Sequence, residues 1–116
     1  MNSEKPLGEL EHLLLLALLR LGETAYGVAI RRDIEARTGR KVATGALYTV
    51  LGRLEAKGMV STRIGEPTAK RGGRRKKFYR LEASGARALA ASSAVLRNMT
   101  AGLETKLESL LAERGS

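Results

Sequence analysis

The chain has 116 residues, enough for one small domain, and carries a formal net charge of +9 at neutral pH. Its hydrophobic content of 43% can build a core, and the lack of cysteine excludes disulfides, thiolate metal sites and cysteine nucleophiles. The longest apolar run, Leu13 to Leu19, is far shorter than the roughly 20 residues of a membrane span. The N-terminus also lacks the basic segment of a signal peptide. We therefore expect a cytoplasmic protein that does not enter a membrane.

The positive charge is concentrated in the middle of the chain. Residues 31–80 contain 15 Lys or Arg and 4 Asp or Glu, a net +11, whereas the remaining residues carry a net −2. Such separation is typical of proteins that bind a polyanion. A surface charged only for solubility is the simpler interpretation, but solubility does not require the two signs to segregate.

The first predicted helix begins near Leu7 or Gly8 and is apolar on more than one side. One stripe at helical spacing is expected to face the core, and it comprises Leu10, Leu13, Leu14, Ala17, Leu18 and Leu21. Leu15, Leu16 and Leu19 lie off this stripe and are also apolar. Because a domain of this size has little material to cover both sides of an outer helix, we expect the second face to meet another copy of the protein, or the C-terminal helix of one.

Two more helices are predicted next, the first from about Ala25 to Thr38 with Thr24 as its N-cap. The second, Ala43 to Gly58, has an apolar face formed by Leu47, Val50, Leu51 and Leu54. Its opposite face carries the small, hydroxyl-bearing or cationic residues Gly45, Tyr48, Thr49, Gly52 and Arg53. Two helices joined by a short connection are typical of a helix-turn-helix that lies against DNA. Taken alone, the second helix also fits an ordinary amphipathic helix.

A long hairpin is predicted after these helices. Val60–Ile64 and Lys77–Leu81 both alternate in polarity, and a connection rich in Gly and Pro separates them. From Lys70 to Arg80, 7 of 11 residues are cationic and none is acidic. Such a hairpin after a helix-turn-helix indicates a wing that contacts the DNA backbone or a minor groove. A disordered basic loop without a partner is the alternative.

The last predicted element is one helix from Glu82 to about Glu113. Its roughly 30 residues would extend about 45 Å, too far to bury an apolar stripe on a small domain throughout. The stripe comprises Leu89, Leu96, Met99, Leu103, Leu107 and Leu110, and Gly102 is a weak point in it. We therefore expect this helix to project and to pair with a second copy.

An enzymatic function is not expected. The only histidine, His12, lies on the apolar first helix, where a structural or interface role is the simpler interpretation. Gly72 and Gly73 lie in a basic hairpin rather than at a strand-to-helix turn, so they do not indicate a nucleotide-binding loop. We predict no catalytic residue, no metal site and no cofactor.

Taken together, residues from about Leu7 to Leu89 resemble the PadR family of bacterial transcriptional regulators. The most specific segments are Ala25-Tyr26-Gly27, Gly45-Ala46-Leu47-Tyr48, Arg53-Leu54-Glu55, Lys57-Gly58 and the stretch from Gly72 to Leu81. The resemblance implies a winged-helix homodimer that binds a palindromic operator, usually as a repressor. Some members release DNA when a small, often aromatic, hydrophobic compound binds. The family's recognition-helix tyrosine falls on Tyr48, and its small residues fall on Gly45 and Ala46.

The chain departs from the family pattern at three places. Ala43 stands where the family commonly has a serine N-cap, with Thr44 next to it, and Glu82-Ala83 stands where Thr-Pro is usual. The predicted C-terminal helix has no aromatic residue. Some relatives sandwich flat drugs between aromatic side chains at the dimer interface, so we do not expect multidrug sensing by that route.

We therefore predict a mainly α protein with a small β-hairpin (α+β). Residues 1–82 would form a winged helix-turn-helix DNA-binding domain and residues 83–116 a long C-terminal dimerisation helix. Residues predicted to contact DNA are Thr44, Gly45, Ala46, Tyr48, Thr49 and Arg53 in the recognition helix and Lys70, Arg71, Arg74, Arg75 and Lys76 in the wing. Residues predicted at the dimer interface are Leu15, Leu16, Leu19, Leu89, Leu96, Met99, Leu103, Leu107 and Leu110. The expected partners are double-stranded DNA, a second copy and a small hydrophobic effector. The alternatives are a non-specific nucleic-acid-binding architectural protein and a module that binds another protein.

Overall fold

A computed structural model of the protein describes residues 7–65 and 75–114, which form five α-helices and one antiparallel hairpin. The helices are α1 (Glu9–Leu21), α2 (Gly27–Thr38), α3 (Thr44–Ala56), α4 (Ala83–Thr100) and α5 (Glu104–Arg114), and the strands are β1 (Val60–Ile64) and β2 (Lys77–Leu81). A 3₁₀ turn, Gly22–Thr24, follows α1. The predicted mainly α fold with a small hairpin is confirmed. Three of the predicted wing residues, Lys70, Arg71 and Arg74, lie outside the described residues.

Helix α1 is the central element of the core. It packs against α2, α3, α4 and β2, so the protomer itself covers more of α1 than the sequence predicts. Leu15 is completely buried within the protomer, and its prediction as a dimer-interface residue is therefore wrong. Leu16 is only partly buried, and Leu19 is 63% exposed. Of the three leucines predicted to form the second apolar face of α1, only Leu16 and Leu19 remain accessible to a partner.

The start of α2 differs from the prediction. The helix begins at Gly27 after Tyr26 as N-cap, and the Thr24 hydroxyl donates to the Leu21 carbonyl instead of capping α2. Tyr26 is extended and pairs with Phe78 of β2, and the Tyr79 N–H donates to the Ala25 carbonyl at 2.8 Å. Pairing with β2 satisfies backbone groups of this segment, so Ala25 and Tyr26 do not join α2.

Helix α3 and the hairpin follow the sequence expectation closely. Leu47, Leu51 and Leu54 are buried, and Gly58, just after the helix, has the left-handed φ of +76° that suits glycine. The strands pair antiparallel, with Thr62 opposite Tyr79. Strand β1 follows α3 directly, so the hairpin is held next to that helix.

The C-terminal segment is two helices rather than the single long helix predicted. Helix α4 ends at Thr100, and α5 begins at Glu104 after Gly102, whose φ is +79°. The first part of α4 belongs to the protomer's own core: a Cβ on Gly85 would lie 2.3 Å from the Met59 carbonyl oxygen. Leu89, one turn further on, is 4% exposed, so its prediction as a dimer-interface residue is also wrong. No helix within residues 7–65 and 75–114 is both long and apolar enough to cross a membrane.

Candidate nucleic-acid interface

The exposed face of α3 brings together most of the residues predicted to read DNA. Gly45, Tyr48, Thr49, Gly52 and Arg53 are all exposed. The opposite face is anchored by leucines in the core, which fixes the orientation of the helix. Ala46 is exposed as well but lies at the margin, where it lines a groove with residues of α1 and of the α2–α3 connection.

The main feature of this face of α3 is that its backbone is not covered by side chains at Gly45 and Gly52. Among the described residues, no heavy atom outside the immediate chain neighbourhood lies within 4 Å of the position that a Cβ would take on Gly45 or Gly52. The two glycines precede and follow Tyr48 by three and four residues, which places them on its side of the helix. The fold therefore does not require glycine at either position, and the open backbone leaves room for close approach by a partner.

Tyr48 is 45% exposed, but its tip does not point away from the protein. Its hydroxyl oxygen lies 1.9 Å from the position of a Cβ on Gly27, the first residue of α2. The tyrosine therefore lies across the N-terminal end of α2, with its hydroxyl directed at the helix and part of the ring left open. The sequence interpretation did not find this contact with Gly27, because it links residues 21 positions apart.

The first turn of α3 has no side-chain cap among the described residues. The N-cap is Ala43, and Thr44 is the first helical residue. The Thr44 hydroxyl instead accepts a hydrogen bond from Nη1 of Arg31 in α2, at 3.4 Å. Arg31 thus places a guanidinium group beside the N-terminus of α3.

The base of the wing is held by aromatic rings and cations. The rings of Tyr26 and Phe78 meet edge to face at 5.8 Å between centroids, and Nζ of Lys76 lies 4.3 Å from the Tyr26 centroid. The Arg63 guanidinium lies 4.4 Å from the centroid of Phe78 and donates to the Glu23 carbonyl at 3.1 Å. Arg63 also pairs with the Glu23 carboxylate at 3.4 Å, whereas the contact of Lys76 with a ring face holds that cation without a counter-charge.

Both described wing residues of the prediction, Arg75 and Lys76, are exposed at this base. Lys76 lies over Tyr26, and Tyr26 immediately precedes the glycine against which Tyr48 packs. The wing base and the exposed face of α3 therefore meet at the N-terminus of α2. Together they form one cationic surface.

Tyr79 lies beneath this surface and is 6% exposed. Burial raises the pKa of its phenol, and the nearby Tyr48 and Glu55 raise it further because they disfavour a second negative charge. Glu55 also accepts from the Thr62 hydroxyl at 3.2 Å and lies 3.9 Å from Nζ of Lys77. These contacts join α3 to both strands, so the helix and the hairpin are held as one unit.

Helices α4 and α5 and the turn between them expose apolar side chains, including Leu96, Met99, Leu103, Leu107 and Leu110. A groove of about 540 Å³ between α1 and α4 is lined mainly by apolar residues and by His12. The two ring nitrogens of His12 lie 3.1 and 3.2 Å from the hydroxyls of Ser93 and Ser92, so the histidine links the two helices. Among the described residues, no group of three or more His, Cys, Asp or Glu is arranged to hold a metal ion.

A model of the transcriptional regulator PadR-like family matches residues 15–91. The fold is similar to that of a PadR family transcription regulator from Clostridium difficile, with a TM-score of 0.71 and 22% identity over 86% of this chain and 99% of that one. A PadR family regulator from Eggerthella lenta has a TM-score of 0.62 and 29% identity over 83% of this chain and 81% of its own. RosR of H. salinarum has a TM-score of 0.63 and 23% identity over 94% of each chain. Comparison with curated protein sequences gives no match.

Proposed function

Because the chain belongs to the PadR-like family of transcriptional regulators, we propose that it is a sequence-specific DNA-binding protein that represses transcription as a homodimer on a palindromic operator. The observation that carries the proposal is the exposed face of α3, where Tyr48, Thr49 and Arg53 lie beside the bare backbone of two glycines. Side chains of these types can reach base edges and phosphates once the helix lies in a major groove.

The wing and the start of α3 would position the protein on the sugar-phosphate backbone. Arg75 and Lys76 are exposed beside the α3 face, and Lys70, Arg71 and Arg74 precede them in the same cationic stretch. Thr44 and the free N–H groups of the first turn of α3 can bind phosphate, with Arg31 adding a positive charge there. These contacts carry affinity, whereas Tyr48, Thr49 and Arg53 carry specificity.

Pairing of two copies is proposed through the apolar side chains that the protomer leaves open. They are Leu16, Leu19, Leu96, Met99, Leu103, Leu107 and Leu110, and the buried Leu15 and Leu89 are not among them. Residues 83–116 would then join the protomers, and residues 1–82 would bind DNA. A two-fold dimer places its recognition helices on half-sites related by the same symmetry, which is the reason to expect a palindrome.

A small hydrophobic effector is proposed for the groove between α1 and α4. Its apolar lining and its volume of about 540 Å³ fit a compound of modest size. The groove lies between the helix at the centre of the core and a helix of the proposed dimer interface. A ligand in this groove would therefore change the relative position of the two DNA-binding units in the dimer. Thermal-shift screening of apolar compounds tests this, because a ligand that binds the folded state raises the unfolding midpoint.

The test of DNA binding is selection of bound duplexes from a randomised library, followed by titration of the selected duplex at several salt concentrations. We expect a palindrome, and with five to eight phosphate contacts per dimer a log–log salt slope of about −4.5 to −7. Replacing Arg75 and Lys76 by Ala should flatten the slope by about 1 for each phosphate that is no longer neutralised. Equal affinity for selected and random duplexes would favour the non-specific architectural protein instead.

A further inference from the structure

We propose that Gly27 is a positioning residue for Tyr48 and fixes the pose in which this ring meets DNA. The inference rests on the proposed DNA-binding function of α3 and assigns a role to a residue of α2 that lies outside the exposed face. It depends on one contact, the packing of the Tyr48 ring against the first turn of α2.

The contact leaves no room for a side chain at position 27. A Cβ there would lie 1.9 Å from the hydroxyl oxygen of Tyr48, 2.6 Å from Cζ and 2.9 Å from Cε1. Such distances are well below van der Waals contact, so any other residue would displace the ring. Because the ring is the end of a side chain and not backbone, it can move without unfolding α2 or α3.

The backbone gives no other reason for glycine at this position. Gly27 is the first residue of α2, and it is not among the glycines with positive φ. Alanine would adopt the same helical backbone more readily than glycine does. The space taken by the Tyr48 ring is therefore what requires glycine here.

Because the Tyr48 hydroxyl is held against α2, only the rest of the ring is available for contact with DNA. Gly45 and Gly52 leave the backbone beside Tyr48 uncovered, so no side chain at either position screens the open part of the ring. With its hydroxyl held against α2, the tyrosine offers its ring to apolar and stacking contacts. A side chain already held in its bound pose loses less freedom on binding, which favours affinity for the matched sequence.

A double-mutant cycle tests the coupling, with Gly27→Ala, Tyr48→Ala and the double variant. The probes are the duplex that the wild type selects from a random library and a random duplex of the same length. We expect Gly27→Ala to weaken binding to the selected duplex about tenfold, within the range of coupled neighbours. Binding to the random duplex should change little. In the Tyr48→Ala background, Gly27→Ala should have no further effect.

If the double variant loses the sum of the two single-variant decreases in binding free energy, the proposal is overturned. Such additivity would mean that Gly27 acts without Tyr48. The matched control is Gly8→Ala, at the N-cap of α1, where a Cβ would meet its nearest atom, Oε1 of Glu11, at an ordinary 3.6 Å. This variant should bind both duplexes as the wild type does. If Gly27→Ala fails to fold, recovery of folding in the double variant would support the proposal, and failure of both would overturn it.

A measurement without DNA separates this proposal from the proposed function. The Tyr48 ring signals in a proton NMR spectrum are identified by their disappearance in Tyr48→Ala. They should shift in Gly27→Ala and stay in place in Gly8→Ala. Unchanged signals would overturn the packing role even if DNA binding holds. Shifted signals with unchanged affinity would overturn the positioning role, and a wild type that selects no duplex would refute the proposed function on which that role rests.

Discussion

Gly52 lies inside α3 with a helical backbone, where glycine is about 0.5–1 kcal/mol less favourable than alanine. Among the described residues, nothing outside its own helical surroundings lies within 4 Å of the position of an added Cβ, so the fold does not explain this cost. An external partner that approaches the backbone closely does explain it. Replacing Gly52 should therefore increase the stability of the fold and decrease the affinity for DNA.

We predict that Gly52→Ala raises the thermal unfolding midpoint by a few degrees and weakens binding to the selected duplex. The first effect follows from helix propensity, and the second from a methyl group placed where DNA approaches. Differential scanning calorimetry and fluorescence anisotropy measure the two. The control is Thr105→Ala, an exposed change in α5, which should gain stability without losing affinity. Undiminished affinity of Gly52→Ala would remove Gly52 from the DNA interface.

Single residues also show the limit of what the sequence can predict. The exposure of Tyr48 and the burial of Leu47 follow from helical periodicity alone, and the structure has both. Periodicity says nothing of what the Tyr48 hydroxyl touches, because Gly27 belongs to another helix. The same limit applies to the burial of Leu15, because α1 packs against elements far away in sequence.

At the scale of elements, α1 is joined to α3 through one carboxylate. Glu11 accepts from the Gly8 N–H at 2.8 Å, which caps the start of α1, and from Nζ of Lys57 at the end of α3, at 3.3 Å. The backbone hydrogen bond from Gly8 lowers the pKa of Glu11, and Lys57 lowers it further, while partial burial acts in the opposite direction.

A lowered pKa in the folded state means that the charged carboxylate stabilises the fold above its ordinary pKa and that this stabilisation is lost as pH falls through the folded-state value. We predict that Glu11→Gln lowers the free energy of unfolding by about 0.5 kcal/mol at pH 7. At pH 3 the difference from the wild type should be smaller. Urea titrations at both pH values measure this, and the exposed Glu108→Gln serves as control. A difference that stays constant with pH would mean that the charge of Glu11 contributes nothing.

Elements with a single periodicity and clear ends were the most predictable. Both strands have the predicted bounds, and α3 ends next to Gly58 as expected. The break between α4 and α5 could not be placed, because the leucine spacing continues across it and an isolated glycine is compatible with an unbroken helix. The start of α2 was missed because pairing of Ala25 and Tyr26 with β2 is a tertiary effect.

At the scale of the whole molecule, the exposed apolar surface of α4 and α5 is the basis for the proposed dimer. Every side chain of residues 104–113 is exposed, and Met99 at the end of α4 is 72% exposed. A soluble protein rarely leaves such a row of large apolar side chains uncovered. This argues that α5 is covered by a second protomer.

We predict that Leu107→Glu converts the proposed dimer to a monomer, because it places a charge in the middle of the apolar stripe of α5. Sedimentation equilibrium should show the halved mass. Affinity for the selected duplex should fall at least 100-fold, since the second half-site no longer benefits from tethering. Ala112→Glu introduces the same charge on the opposite side of α5 and should remain dimeric. A Leu107→Glu protein that stays dimeric would place the interface elsewhere.

The break between α4 and α5 bends the C-terminal segment at Ala101 and Gly102, and Gly102 takes a left-handed backbone conformation that only glycine adopts readily. In a dimer joined by α5, this bend would set the distance between the two α3 helices. The number of base pairs between operator half-sites would then be encoded far from any DNA contact. Gly102→Ala, which favours one continuous helix, should select palindromes with a different spacer and leave each half-site unchanged.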